Sequence, residues 1–446
     1  MNAASNLLEK VLPGSTKDTS TATHINNPSQ HDGASAPAST MRALTWQGKN
    51  SVAVQTVAKP TIINPQDVIL KVTGATICGS DLHLYHNAVV QMKQGDILGH
   101  EFCGVVEEVG EGVRDIRKGQ RVVSSFQISC GECRFCRQKL TSQCERTNDS
   151  KLQDMLYGSQ TAGLFGYSHF TGGFAGGQAE YVRVPHADYN LLPLPDDVPD
   201  EKGLYLSDIL PTAYNAVHDT RVYPDDTVAI WGAGPIGVLV AVFAKQAGAG
   251  RVILIDNNWR LEYAQKHVPG VEVINYAALP RGRSVTAEIH DRVPGGVDVA
   301  IECVAGEYAK GWGHYFEILL GMETDTSEIV NEMITSTRKY GRCGITGAYV
   351  GFTNHFNIGS LMERGIRLIG NGQAPVQKYW NEILEQIRKG EVDPGVVLTH
   401  RIDLEDMEKL YKRFDQRSEE DGLMKVFVQT KHSAPPALGT PQLTRL

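Results

Sequence analysis

Four cysteines, Cys130, Cys133, Cys136 and Cys144, spaced C-x2-C-x2-C-x7-C, constrain this chain more than any other feature. They sit among Gly131, Glu132, Arg134 and Arg137, in a stretch too polar to be a core strand or helix. Four thiolates this close along a chain suit one tetrahedral zinc ion, whose coordination they complete with no open position. A pair of disulfides is the competing arrangement. It belongs to short secreted domains, whereas only four further cysteines are spread over these 446 residues. An iron–sulfur cluster would ordinarily take the tighter C-x2-C-x2-C-x3-C-P spacing. The expectation is a closed structural zinc site in a small lobe, residues 128–148.

The length leaves room for two or three domains, and a net charge of −8 with both signs interspersed argues against a nucleic-acid partner. No apolar run reaches the ~18 residues of a membrane span. Residues 1–40 are rich in Ser, Thr, Ala, Asn and Pro without an apolar period, so they are expected to be a disordered tail. They lack both the arginines of a mitochondrial presequence and the apolar stretch of a secretory one. The fold is expected to begin at Met41, and residues 431–446 to be a second disordered tail. Reduced cysteines fit a cytoplasmic location.

From residue 42 to about 203 the pattern is of short strand-like runs between turns, at 52–57, 67–73, 102–109, 121–124 and 181–184. From about 208 to 372 it changes to strands alternating with helical segments. The strand candidates are 227–231, 251–256, 271–274, 297–303, 341–346 and 366–369, with helices such as 235–247 and 326–338 between them. That alternation predicts a doubly wound parallel sheet. Val376, Trp380, Ile383, Leu384 and Ile387 share one helical face, with Gly390 as its stop. Strands then return at 396–399 and 424–428. A β-rich domain is thus interrupted by a nucleotide-binding one.

The first strand of the alternating region runs into Gly232-Ala233-Gly234-Pro235-Ile236-Gly237 and an apolar helix. G-x-G-x-x-G alone is a weak signal, but strand, tight turn, helix and a second strand ending in Asp256 give it the right context. Gly232 permits the turn, Gly234 lets a pyrophosphate approach the backbone, and Gly237 lets helix and strand pack closely. Pro235 near the first helical turn removes no needed donor. Asp256 would accept from ribose hydroxyls and repel a 2′-phosphate, favouring NAD over NADP, while Arg260 keeps NADP in view.

Two further segments have ligand chemistry: Cys78-Gly79-Ser80-Asp81-Leu82-His83 and Gly99-His100-Glu101-Phe102-Cys103. Cys78 and His100 supply a thiolate and an imidazole, most of a catalytic zinc shell that must keep one position open. Glu101 and Asp208 are the candidates for a third ligand. Asp208 is the better one, because an acid in the apolar run 204–210 is costly unless paired or metal-bound. Its other possible role is to cap the helix that follows.

With CGSDLH, GHE, the four-cysteine lobe, GAGPIG and the acidic ribose residue in this order, the chain resembles the zinc-dependent medium-chain dehydrogenase/reductase family, that of the zinc alcohol dehydrogenases. The likeness runs from Met41 to Thr430. It implies a GroES-like β-rich catalytic domain (41–208, with the zinc lobe, and 375–430) and a Rossmann domain at 209–374. YLSDILPTAY (205–214) has Asp where animal alcohol dehydrogenases have Cys. GQAPVQKYW (372–380) and the extended segment 306–325 resemble the glutathione-independent formaldehyde dehydrogenases, in which an insertion there covers the cofactor.

The resemblance implies a catalytic zinc on Cys78, His100 and Asp208, with Glu101 as alternate, besides the four-cysteine zinc: two zincs per chain. It places Lys425 near the pyrophosphate and implies a homo-oligomer, dimer or tetramer. The expected activity is hydride transfer between a small alcohol or aldehyde and NAD. Ser80 would take the substrate proton and pass it through the cofactor ribose to His83 near the surface. The alternatives are a dehydrogenase or reductase acting on a larger substrate and a catalytically silent nucleotide-binding paralogue. Intact Cys78, Ser80, His100 and Asp208 speak against silence. The Gly-rich stretch 163–177, with Leu164, Phe165, Tyr167, His169, Phe170 and Phe174, is either a substrate-pocket wall or a surface loop.

Overall fold

The computed structural model describes residues 2–13, 39–304, 325–349 and 351–446. The chain forms two compact units, Met1–Asp208 with Pro375–Leu446, and Ile209–Ala374.

The first unit opens on a helix, α1 (Asn2–Val11), and an antiparallel pair, β1 (Thr40–Gly48) and β2 (Ser51–Ala58). Its main sheet takes β3 (Val68–Ala75), β4 (Phe102–Val109), β5 (Arg121–Ser124), β6 (Tyr181–Val184) and β7 (Leu191–Pro193). Val68, Leu70 and Val72 are buried in its core. Between strands lie short helices, among them α2 (Gly79–Tyr85) and α3 (Lys151–Tyr157).

The second unit is a single parallel sheet of β8 (Thr227–Trp231), β9 (Arg251–Asp256), β10 (Glu272–Asn275), β11 (Val297–Glu302), β12 (Thr337–Ile345) and β13 (Arg367–Gly370). The spatial order is β10-β9-β8-β11-β12-β13, the doubly wound order whose switch point lies between β8 and β11. β8 reads TVAIW with every residue buried, as a central strand covered on both faces must be. It feeds α4 (Pro235–Gln246), with Pro235 in the first turn. The helix expected to reach residue 338 ends at Ser336, and β12 starts at Thr337, paired with Val297. Tertiary pairing there overrides local helical preference.

The chain returns to the first unit through α5 (Val376–Arg388), which buries Val376, Trp380, Ile383, Leu384 and Ile387. Strand β14 (Leu398–Asp403), helix α6 (Met407–Gln416) and strand β15 (Lys425–Gln429) complete the main sheet. None of the described helices is long and apolar enough to cross a membrane.

Both tails depart from expectation. Of the first forty residues, 14–38 lie outside the described set, but α1 is a formed helix. Its Glu9 carboxylate accepts from the backbone amides of Lys151 (2.7 Å) and Leu152 (3.0 Å) and from Ser150 Oγ (3.3 Å). These amides are donors that the first turn of α3 leaves unpaired, so a distant carboxylate supplies the cap. Residues 431–446 are likewise not a free tail. β14 is the terminal strand of its sheet, and Leu443 bridges to Arg401 while Thr444 N–H donates to Arg401 O at 2.8 Å. An edge strand needs a cover, and this polar-looking segment provides it.

Candidate active site and metal centres

Cys78 stands at the mouth of α2, just after β3. Asp81, one turn into the helix, turns back so that its Oδ2 accepts the Cys78 N–H at 2.8 Å. Its other oxygen, Oδ1, lies 3.1 Å from His100 Nδ1. One buried carboxylate therefore orients two candidate ligands. With Nδ1 so engaged, His100 Nε2 faces Asp208 Oδ2 at 3.5 Å and Glu101 Oε1 at 3.9 Å. Cys78, His100, Glu101 and Asp208 each bring a donor atom into one cluster, all within 4.8 Å of one another.

The donor set fits a cation. Three groups that ionise as anions surround one imidazole nitrogen, and Glu101 Oε2 is buried with no hydrogen-bond partner. Burial works against charging His100, yet Asp81 and Asp208 hold its pKa well above the usual histidine value. Burial raises the Glu101 pKa, opposed by Lys425. A thiolate, an imidazole and carboxylates make a mixed set of the kind that catalytic zinc uses.

Lys425, expected near the pyrophosphate, lies against Glu101 in the metal cluster. Its ammonium is buried, 2.5 Å from Glu101 Oε1 and 3.1 Å from the carbonyl oxygen of Ile77. Burial disfavours its charge, but Glu101 and Cys78 outweigh this and raise its pKa. A buried carboxylate beside a metal cluster requires a counter-cation, and Lys425 is that cation. His83 also differs from expectation: it is buried on α2 rather than near the surface. Ser80 Oγ lies 3.4 Å from His100 Nε2 and is half-buried.

The Gly-rich stretch is a packed wall. Leu164, Phe165, Phe170 and Phe174 are buried, and Tyr167 and Phe126 both make T-shaped contacts with the His100 ring, at 6.1 and 6.2 Å between centroids. His169 is tied to Asp96 at 3.1 Å. Most of the segment 306–325 lies outside the described residues.

Cys130, Cys133, Cys136 and Cys144 form the second cluster, with their sulfurs within 4.8 Å of one another. Cys130 Sγ and Cys136 Sγ are 4.0 Å apart, close to the ~3.8 Å edge of a tetrahedron with ~2.3 Å zinc–sulfur bonds. All eight cysteines are free thiols, so no disulfide competes. Hydrogen bonds from Cys136 and Cys144, and from the amides of Glu132 and Cys133, hold the Cys130 thiol far below its ordinary range. The arrangement suggests a structural zinc.

In the second unit Gly232 has φ +101°, and a Cβ at Gly237 would lie 1.9 Å from Gly232 O, so only glycine allows this turn. Asp256, at the end of β9, accepts from Ala233 N–H in that turn at 2.7 Å and from Asn257 N–H at 2.7 Å. Pro235 and Ile236 begin α4, whose N-terminus faces the turn.

Asp81 escaped the sequence reading of the site, although Cys-x-x-Asp at a helix start has the spacing of a reciprocal cap and could have flagged it. Gln178 and Tyr411, described below, carry no such local signal.

Fold and sites together define a β-rich unit with two clusters of metal-ligand side chains, joined to a Rossmann-like parallel-sheet unit. Residues 64–196 match the alcohol dehydrogenase GroES-like domain. A zinc-type alcohol dehydrogenase-like protein of Schizosaccharomyces pombe is 40% identical over 390 residues, 87% of this chain and 90% of that one. A glutathione-independent formaldehyde dehydrogenase of Pseudomonas aeruginosa is 32% identical over 420 residues, 88% of this chain and 98% of that one. Among solved structures, alcohol dehydrogenase TADH from Thermus sp. ATN1 superposes with a TM-score of 0.72 at 30% identity, covering 88% of this chain and 100% of that one. The chain belongs to the zinc-dependent medium-chain dehydrogenase/reductase family and is an alcohol dehydrogenase-like oxidoreductase.

Proposed function

We propose that this protein interconverts an alcohol and its aldehyde with NAD, as a member of the formaldehyde dehydrogenase-like branch that holds two zincs per chain. The observation that carries the reading is the convergence of Cys78, His100, Glu101 and Asp208 on one point, backed by Asp81. Cys78, His100 and Asp208 would hold the catalytic zinc, with Glu101 as alternate. When bound, it would supply a Lewis acid that lowers the pKa of an alcohol oxygen toward neutrality.

The protein's own groups do the rest. Asp81 keeps the His100 ring turned so that Nε2, not Nδ1, serves the centre. Ser80 Oγ, beside His100 and half-buried, would accept the substrate proton as its own hydroxyl proton passes to solvent. Phe126 and Tyr167 flank the imidazole and restrict water there. Bound NAD would accept the hydride. Gly232, Gly234 and Gly237 with the start of α4 would receive its diphosphate. Asp256 is fixed by Ala233 N–H, and its charge opposes a 2′-phosphate. Arg260 Nη1 would lie 3.9 Å from a Cβ at Gly234, close enough to the turn to meet the diphosphate of either cofactor.

The test is turnover of zinc-replete protein on a panel of alcohols and aldehydes, with NAD or NADP and with or without glutathione. Turnover of small substrates with NAD and no glutathione is expected. Inactivity on the whole panel would end this reading.

A further inference from the structure

The two segments that carry Cys78 and His100 are joined behind the cluster by one residue, Gln178, through its side-chain amide on one side and its backbone N–H on the other. Gln178 is fully buried, and its Nε2 donates to Thr76 O at 2.9 Å and to Asp81 Oδ2 at 3.4 Å. Thr76 lies two residues before Cys78 on the backbone that delivers the thiol. On the other side Gln178 N–H donates to Leu98 O at 3.0 Å. A Cβ at Gly99, whose φ is +97°, would fall 2.4 Å from Gln178 Cγ, so this amide is pressed against the residue before His100. A side-chain amide has a donor end and an acceptor end, and here both are used: Gln178 Oε1 accepts from Tyr411 O–H at 2.9 Å. Tyr411 is fully buried on α6, with its ring 5.6 Å from that of Tyr85 on α2.

Two acceptors decide the amide's orientation: Asp81 Oδ2 and Thr76 O require the Nε2 end, and the Tyr411 hydroxyl, able to donate or accept, then donates to Oε1. With the amide reversed, Oε1 would oppose Asp81 Oδ2 and Thr76 O, two acceptors it cannot bond. In the observed order the chain of hydrogen bonds runs Tyr411 to Gln178 to Asp81, whose Oδ2 accepts the Cys78 N–H and whose Oδ1 faces His100 Nδ1 at 3.1 Å.

We propose that Gln178 and Tyr411 are positioning residues of the metal centre, a relay that fixes Asp81 and through it the angle at which Cys78 and His100 present their donor atoms. The proposal rests on the reading of this cluster as a zinc site. Neither residue touches substrate or cofactor; each acts through Asp81. Because outer-shell partners of a metal ligand typically change metal affinity about 10–100-fold, Gln178→Leu should fall near the lower end of that range and Tyr411→Phe below it.

The experiment follows release of zinc to a chromogenic chelator from the full-length protein, with the faster and slower phases assigned by the variants Cys78→Ser and Cys130→Ser. Gln178→Leu should release the catalytic-site zinc about tenfold faster and Tyr411→Phe about threefold faster, with the four-cysteine phase unchanged. Since the two residues act in series, Gln178→Leu combined with Tyr411→Phe should be no worse than Gln178→Leu alone. In the cobalt-substituted protein the d–d absorption of the mixed site should shift in both variants. Tyr411→Phe removes one hydroxyl and keeps the ring, so it remains informative where Gln178→Leu does not fold. Catalytic-site release within twofold of wild type in Tyr411→Phe would overturn the proposal. So would equal loosening of both zincs, which is a loss of global stability, or strictly additive effects. An unaltered release profile in Cys78→Ser would remove the zinc reading of the cluster itself, and the relay with it.

Discussion

Asp208 joins a short 3-10 turn, Leu204–Ser207, to the helix Ile209–Asp219, with its carboxylate facing His100 at 3.5 Å. If it is a ligand, Asp208→Asn keeps shape but removes a charge from the cation's shell. Turnover is expected to fall on the order of 100-fold or more, with loss of one zinc while the four-cysteine zinc remains. If it only caps the helix, Asn serves nearly as well and both zincs and activity persist. Metal content and turnover of this one variant separate the two roles. Asp256 is a second residue whose charge makes the decision. Its carboxylate is anchored by the Ala233 and Asn257 amides and cannot easily swing away from an incoming 2′-phosphate. Such a like-charge contact costs on the order of a few kcal/mol, so Asp256→Ser should narrow the NAD-over-NADP ratio of kcat/KM by about tenfold or more. Wild-type protein that uses both cofactors equally would remove this role from Asp256.

At the scale of elements, α1 shows how a remote segment can complete a local structure. Glu9 sits 142 residues from Lys151 in sequence, yet its carboxylate closes the exposed amides of α3. Ser150 is already the local cap of that helix, accepting from Gln153 N–H at 3.2 Å, so Glu9 adds to a cap rather than replacing it. Glu9→Ala should therefore cost about 1 kcal/mol, felt in the first turn of α3. Hydrogen exchange at the Lys151 and Leu152 amides should quicken about fivefold, with the Rossmann sheet unaffected. Unchanged protection at both amides would mean that the contact contributes nothing in solution. The helix α5 is the opposite case. Its apolar positions repeat on one face and its stop is a glycine with φ +71°, so local sequence sufficed to place it.

For the whole molecule, the parallel sheet of the second unit ends at β13, a short strand paired on one side by β12. An exposed strand edge can pair across a two-fold axis, and a homo-oligomer is the expected outcome. Light scattering at working concentration should give at least twice the chain mass; a stable monomer would contradict it. Much of this architecture was legible beforehand, because its signals are local and periodic. The run TVAIW before Gly232 reads as a buried strand, the glycines at 232, 234 and 237 are imposed by contacts within one turn, and four cysteines within fifteen residues have only a few chemical uses. Sequence by itself therefore determined the fold class, the four-cysteine site and the candidates for both cofactor and metal. Tertiary structure alone decided the rest. It turned Lys425 inward to neutralise Glu101, buried His83, and set Asp81 between two ligands. It also spent the C-terminal segment on the edge of β14 and brought Gln178 and Tyr411 behind the metal cluster. Those choices depend on which charges and unpaired backbone groups meet once the chain is folded. Most such meetings join residues distant in sequence, up to 324 positions for Glu101 and Lys425, and leave no period along the chain.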